Sequence, residues 1–117
     1  MTSSNAVLRY AALMLEKAGK KRKAQIWHEA SSLLSSPAST RVEVNLGRIS
    51  RIAADGEAVF VPGKVLGTGA IDKKVSVGAF SFSAQARQKI EASGGSALSV
   101  EEFLKKHPKG SGVRLVK

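Results

Sequence analysis

The sequence contains no cysteine among its 117 residues. This absence excludes disulfides, thiolate catalysis and cysteine-ligated zinc, so nothing points to an oxidising compartment. No apolar run approaches the roughly 20 residues that a bilayer-spanning helix needs, and no basic leader precedes an apolar stretch at the N-terminus. We therefore expect an intracellular protein with no membrane segment.

Acidic residues are scarce. Nine Asp and Glu face 19 Lys and Arg, giving a formal net charge of +10 and an isoelectric point near 10.3. The basic surplus is spread over both halves of the chain rather than held in one tail. A polyanion is therefore the expected partner. Aromatic residues make up only 5% of the chain, which disfavours a single-strand binder that stacks bases on several rings.

The motifs of catalysis and nucleotide binding are also missing. The two histidines are His28 and His107, and the residues at helical spacing from them serve the helix equally well, so no metal site is implied. No serine lies in a G-x-S-x-G turn. Lys64 is followed by valine where a P-loop needs a hydroxyl, and Asp72 stands where the dinucleotide fingerprint needs its third glycine. We expect no enzyme activity, no metal, no cofactor and no small-molecule substrate.

Residues 1–36 show the pattern of two amphipathic helices packed as a hairpin. The first helix is predicted to be capped by Ser3, Ser4 or Asn5 and to end at Gly19, and the second to stop before Pro37. A basic run lies at the predicted corner and leads into the second helix; it consists of Lys20, Lys21, Arg22 and Lys23.

Residues 41–117 mix strand and helix patterns. Strands are predicted at residues 42–46, 58–61, 65–66, 75–80 and 113–116, with the third stretch cut off from the second by Pro62 and Gly63. Helices are predicted after Leu46, from Ser83 to Gly94 and from a capping box at Ser99 to Pro108. An alternative capping box, Thr40 with Glu43, would start the first of these helices earlier. The fold class is mixed α/β in a single domain, residues 1–117.

The helix after Asn45 gives a candidate nucleic-acid surface. Arg48 and Arg51 are three residues apart and share a side, while Leu46 and Ile49 face away from them. Guanidinium groups fork to phosphate and stack on bases, although solvated arginines would show the same pattern.

The glycine-rich segment gives a second candidate surface. Gly63, Gly67 and Gly69 are expected in turns where a bare backbone approaches a partner closely, with charge supplied by Lys64, Lys73 and Lys74. A tight turn with solvated lysines is the plainer interpretation. A rigid double-stranded or tertiary RNA fits this surface best. A DNA-binding or nucleoid-associated protein that uses the N-terminal hairpin remains the alternative, although the second helix has few Arg, Asn and Gln for base readout.

Several segments resemble one family in order along the chain. They are VEVNLGRI (42–49), VPGKVLGTG (61–69), DKKVSV (72–77), residues 82–95 and PKGSGVR (108–114). Together they closely resemble the archaeal form of the large-subunit ribosomal protein family numbered eighteen-e. Residues 65–95 also resemble the related bacterial large-subunit ribosomal protein numbered fifteen. The eukaryotic relatives carry a long basic tail after this region, whereas this chain stops at Lys117, which fits an archaeal source.

The resemblance implies a cytoplasmic, structural constituent of the large ribosomal subunit with an irregular core of strand, strand and helix units. Its expected partners are large-subunit ribosomal RNA and neighbouring ribosomal proteins, and the family has no catalysis to carry over. The candidate RNA-binding residues are Lys20, Lys21, Arg22, Lys23, Arg41, Asn45, Arg48, Arg51, Lys64, Lys73, Lys74 and Lys109.

Overall fold

The computed structural model describes residues 3–117, with side chains described from Ala6 onward. Within that range the chain forms five α-helices and five β-strands, which confirms the predicted mixed α/β class. In chain order the elements are α1 (Ser3–Arg22), α2 (Gln25–Leu34), β1 (Val42–Asn45), α3 (Leu46–Ile52), β2 (Ala58–Leu66), β3 (Ser76–Phe82), α4 (Ala84–Ala92), β4 (Ser96–Leu98), α5 (Val100–Lys106) and β5 (Val113–Leu115). A short 3-10 turn, Ala38–Thr40, precedes β1.

The strands form one five-stranded sheet in which every recorded pairing is parallel. Strand β2 is central, and β3 pairs along one of its edges and separates it from β4. The other edge of β2 is shared, because β5 pairs with its first residues and β1 with its last. Parallel strands need crossover connections, and α3, α4 and α5 supply them. The connection from β2 to β3 has no helix and consists of residues 67–75.

Alternate side chains of the sheet face two separate hydrophobic clusters. Val59 and Val61 lie in a cluster with Ile49 of α3 and Ile90 of α4. Phe60 lies in the other, with residues of α1, α2 and α5. The molecule therefore has three layers, with the sheet in the middle. On the second face the ring centroids of Trp27 and Phe60 are 5.4 Å apart in an edge-to-face arrangement.

Helices α1 and α2 form the predicted hairpin. The buried Ser31 hydroxyl donates to the Ala12 carbonyl (2.9 Å), and His28 lies 3.2 Å from the Glu16 carboxylate, so residues later in α2 meet residues earlier in α1. The two helices therefore run in opposite directions. Since Trp27 of α2 packs against the sheet, the hairpin shares its hydrophobic cluster with the strands.

The predicted end of α1 at Gly19 is wrong, because the helix continues to Arg22. Gly19 serves helix packing: a Cβ at this position would lie 3.0 Å from the His28 ring. Lys20, Lys21 and Arg22 form the last turn of α1 rather than opening α2, and this position favours cations because it carries the negative end of the helix dipole. Lys23 leaves the helix with φ of +53°. The predicted capping by Ser3, Ser4 or Asn5 concerns side chains outside the described part of the chain.

The prediction that Pro62 and Gly63 end a strand is also wrong, because β2 continues through them to Leu66. The pairing with β3 shifts register between Val61 and Lys64, and such a bulge accommodates a proline that has no N–H to donate. Gly63 therefore lies in a buried strand rather than a turn. A Cβ there would collide with the carbonyl of Val42 on β1.

The remaining boundaries agree more closely with the sequence patterns. The capping box joining Ser99 and Glu102 is present at the start of α5, and the Ser83 hydroxyl accepts from the Ala86 N–H at the start of α4. The alternative start of α3 at Thr40 is wrong, since strand β1 occupies that stretch. Strand β4 has no counterpart among the predicted strands. None of the helices within residues 3–117 is long and apolar enough to cross a membrane.

Candidate nucleic-acid interface

Helix α3 begins where β1 ends, at the carboxyl edge of the sheet. The Asn45 side chain accepts a hydrogen bond from the Arg48 N–H (3.0 Å), which satisfies one of the free donors at the start of the helix. Leu46 and Ile49 are fully buried, and Arg48 and Arg51 are exposed, as the spacing indicates. Asn45 therefore has a structural role as the N-cap of α3.

The two arginines share the exposed face of α3 but reach in different directions. The Arg48 guanidinium donates to the Lys117 carbonyl (2.9 Å), beyond the end of β5. The Arg51 guanidinium folds back over Gly47, with Nη1 3.6 Å from where a Cβ on that glycine would lie. Because Gly47 contacts Gly69 of the β2–β3 connection, the Arg51 guanidinium lies beside that connection.

Residues 67–75 form the β2–β3 loop, which lies against α3. Gly69 has φ of +90°, and a Cβ there would lie 2.7 Å from the Gly47 nitrogen. The Gly47 N–H in turn donates to the Thr68 carbonyl (3.3 Å). Gly67 is buried, and its Cβ would lie 2.7 Å from that of Gln85. The space left by these glycines is thus occupied by the protein itself, and a close approach of RNA to them stays a prediction.

Lys73 is half-buried and bonded to the fold. Its ammonium donates to the carbonyls of Ser50 (2.7 Å) and Ala53 (2.9 Å), which lie at the carboxyl end of α3. The carbonyls of a helix's last turn lack partners within the helix, so a cation there is favourable. This internal role was missed, because the two segments are about twenty residues apart in the sequence.

Lys89 of α4 was not identified as a candidate. Its ammonium donates to the carbonyls of Gly67 and Gly69, each at 2.8 Å. Ser93, the residue that follows α4, donates to the Lys73 carbonyl at 3.0 Å. The loop is therefore held by α3 on one side and by α4 on the other. No local pattern in the sequence could have shown a contact across this distance.

Arg41 and Lys64 lie together on the other side of the sheet. They line a cavity of about 170 Å³ with Glu43, the cross-strand neighbour of Lys64, and Ser81. Lys64 is exposed, whereas Arg41 is half-buried and donates through Nη2 to the Ser36 carbonyl (3.3 Å). The Arg41 Nε is buried and has no hydrogen-bond partner within the described part of the chain.

The remaining candidates lie at other places on the surface. Lys20, Lys21, Arg22 and Lys23 are exposed, and their side chains take part in none of the hydrogen bonds or ion pairs found within the described residues. Lys74 is exposed, with its aliphatic chain against Gly94. Lys109 is exposed on a loop that is anchored to α2 by a hydrogen bond from Trp27 Nε1 to the Pro108 carbonyl (2.9 Å).

Comparison with known proteins identifies the family. A family model that describes ribosomal proteins, among them 50S-L15 and 50S-L18e, matches residues 43–98. Large ribosomal subunit protein eL18 of Methanoregula boonei is 42% identical over 105 residues, covering 90% of this chain and 87% of the relative. The chain belongs to the eL18 family.

Other eL18 proteins give the same result. That of Pyrobaculum aerophilum is 40% identical over 113 residues, covering 97% of this chain and 93% of the relative. That of Archaeoglobus fulgidus is 48% identical over 96 residues, covering 82% of each. These relatives are from archaea, and the family resemblance expected from the sequence is confirmed. The family is one of ribosomal proteins, which also confirms the expectation that the chain is not an enzyme.

Ion pairs engage several carboxylates of this eL18-family protein. Glu29 pairs with Lys117 and Glu57 with Arg114, while the Glu16 carboxylate lies 3.2 Å from His28 Nδ1. Hydrogen bonding to the Arg114 guanidinium holds the pKa of Glu57 below its ordinary value, and the Ala54 N–H adds to this effect. Two of the few carboxylates are therefore paired with cations that are not interface candidates, whereas Glu43 lies beside Lys64.

Proposed function

We propose that this protein is a structural constituent of the large ribosomal subunit that binds and stabilises folded ribosomal RNA. The observation that carries the proposal is its membership of the eL18 family, with 40–48% identity to relatives named as large ribosomal subunit proteins over most of the chain. The net charge of +10 supports it, since a polyanion is the partner that such a charge attracts. The expected location is the cytoplasmic ribosome, with other ribosomal proteins as neighbours.

The exposed cations are the groups expected to meet phosphates. Arg51 lies on α3 beside the β2–β3 loop, and Lys74 lies at the end of that loop, just before β3. Lys64 lies on the face of the sheet opposite α3, and Lys109 lies on the loop after α5. The run at the end of α1 adds further charge. Asn45 and Lys73 act indirectly in this proposal, because their side chains hold α3 in place.

The proposal is tested first by location. Tagged protein expressed in an archaeal host should co-sediment with large ribosomal subunits in a sucrose gradient, and not with free small subunits. Sedimentation only with light fractions or with chromosomal DNA would contradict it and favour a nucleoid-associated role.

Purified protein should also bind protein-free large-subunit ribosomal RNA more tightly than duplex DNA of similar length. Raising salt from roughly 50 to 200 mM should weaken this binding by about a hundredfold or more, because phosphate contacts release counterions. Arg51→Met and Lys64→Met should each lower the affinity and the salt dependence. Lys106→Met, on the exposed side of α5, is the matched control and should change neither. A flat salt dependence of the parent protein would contradict the phosphate contacts.

A further inference from the structure

We propose that Lys89 is a positioning residue of the RNA interface: its ammonium shapes the β2–β3 loop and does not itself bind a phosphate. The inference rests on the proposed function. Its basis is that one nitrogen donates to two carbonyls of the same loop, those of Gly67 and Gly69, each at 2.8 Å. A lysine ammonium has three donors, so two of them are used within the protein.

The loop needs such a contact because of its backbone path. Residues 67–75 connect parallel strands without a helix, so their carbonyls do not find partners in regular structure. The turn at Gly69 has φ of +90°, and its neighbour Thr68 already accepts a hydrogen bond from the Gly47 N–H. The carbonyls of Gly67 and Gly69, on either side of Thr68, both accept from Lys89. Helix α4 thereby fixes the same turn that α3 fixes from the other side.

Electrostatics give this contact a consequence for RNA binding. Thr68, Gly69 and Ala70 are exposed, and the Arg51 guanidinium lies beside Gly47, which contacts Gly69. Two converging carbonyl oxygens carry partial negative charge and would repel a phosphate held by Arg51. Lys89 neutralises these oxygens and fixes the turn before the RNA arrives. The RNA then has less loop entropy to remove on binding.

The salt dependence of binding separates a positioning residue from a phosphate contact. The probe is large-subunit ribosomal RNA freed of protein, and the variants are Lys89→Met, Lys89→Gln and Lys89→Arg. Losing a phosphate contact lowers the slope of log affinity against log salt by roughly 0.7 to 0.9. Losing a positioning contact lowers the affinity and leaves the slope unchanged. Arg51→Met is the reference for a direct contact.

We expect Lys89→Met to bind roughly tenfold more weakly with the parent slope. Lys89→Gln should bind better than Lys89→Met, because its amide still donates to a carbonyl although it carries no charge. Lys89→Arg should remain close to the parent protein. Thermal unfolding of each variant without RNA identifies any that fail to fold. If Lys89→Met does not fold, the Gln and Arg variants distinguish the two roles. Lys89→Gln lowers the slope of log affinity against log salt only if Lys89 contacts a phosphate.

Two results would overturn the inference. One is equal weakening in Lys89→Gln and Lys89→Met with a reduced slope, which would make Lys89 a phosphate ligand. The other is parent affinity in Lys89→Met, which would leave the loop without a role in binding. Neither result resembles failure of the proposed function, in which the parent protein itself would show no salt-dependent binding to ribosomal RNA.

Discussion

Lysines at two places in this molecule have opposite uses. At the end of α1, the side chains of Lys20, Lys21 and Lys23 are exposed and take part in no hydrogen bond or ion pair within the described residues. In and beside the β2–β3 loop, Lys73 and Lys89 donate to four backbone carbonyls. Net charge therefore overstates how many cations face a partner, because part of the surplus stabilises the protein's own backbone.

The difference follows from what surrounds each region. The end of α1 lies at the surface, where the Gly19 carbonyl already accepts from the Ala24 N–H and the lysine side chains extend away from the helix. The β2–β3 loop lies between α3 and α4, where the Lys73 ammonium meets carbonyls at the end of α3 and the Lys89 ammonium meets those of Gly67 and Gly69. Lysine suits this task because its long apolar stem lets the ammonium reach across a gap.

The largest effect on stability is expected in the loop itself. Gly69→Ala places a Cβ 2.7 Å from the Gly47 nitrogen at φ of +90°, and should cost about 3 kcal/mol. Gly56→Ala is the matched control, since its φ is +84° with nothing within 4 Å of the Cβ position, and it should cost about 1 to 2 kcal/mol. Denaturant unfolding measures both. Equal losses would show that the contact with α3 relaxes freely.

A direct test of the comparison exchanges one lysine in each region. Lys73→Met leaves two carbonyls at the end of α3 without their partner and should lower the free energy of unfolding by about 1 to 2 kcal/mol. Lys21→Met should stay within about 0.5 kcal/mol of the parent protein. If the two variants unfolded at the same denaturant concentration, Lys73 would contribute no more to stability than the exposed Lys21, and the distinction between the two regions would be wrong.

The basic run should show its effect in binding rather than in stability. Replacing Lys20, Lys21 and Arg22 together by Met should lower the free energy of unfolding by less than about 1 kcal/mol, through the lost interaction with the helix dipole. It should reduce the salt slope of RNA binding by roughly 0.7 to 0.9 for each phosphate contact that is lost. An unchanged slope would mean that this end of α1 faces solvent in the ribosome.

The smallest effect is expected from an ion pair outside both regions. Hydrogen bonding to Arg114 lowers the pKa of Glu57, so its charged form contributes stability above the ordinary pKa of a glutamate. That contribution is lost as the pH falls through the lowered pKa. Glu57→Gln should therefore be slightly less stable than the parent at about pH 7 and equal to it at about pH 3. A difference that grew toward acid pH would contradict this assignment.

The sequence by itself determined the class of the fold, the helical hairpin, the caps at Ser83 and Ser99, and the family. The fold class, the hairpin and the caps rest on local patterns, such as the period of apolar residues or a serine three residues before a glutamate. The family rests on the order of sequence motifs along the chain. The charge that points to a polyanion is likewise a sum over residues. It does not depend on where the residues lie.

Only the tertiary structure decided how individual residues are used. Pro62 and Gly63 read as the end of a strand, but pairing with β1 and β3 carries β2 through them with a bulge. Gly19 reads as the end of α1, but the His28 ring of α2 occupies the space beside it. Lys73 and Lys89 bond to backbone carbonyls because the fold brings segments about twenty residues away within 2.9 Å of their ammonium groups. The partners of a long side chain are set by segments distant in sequence, and so a local pattern cannot contain them.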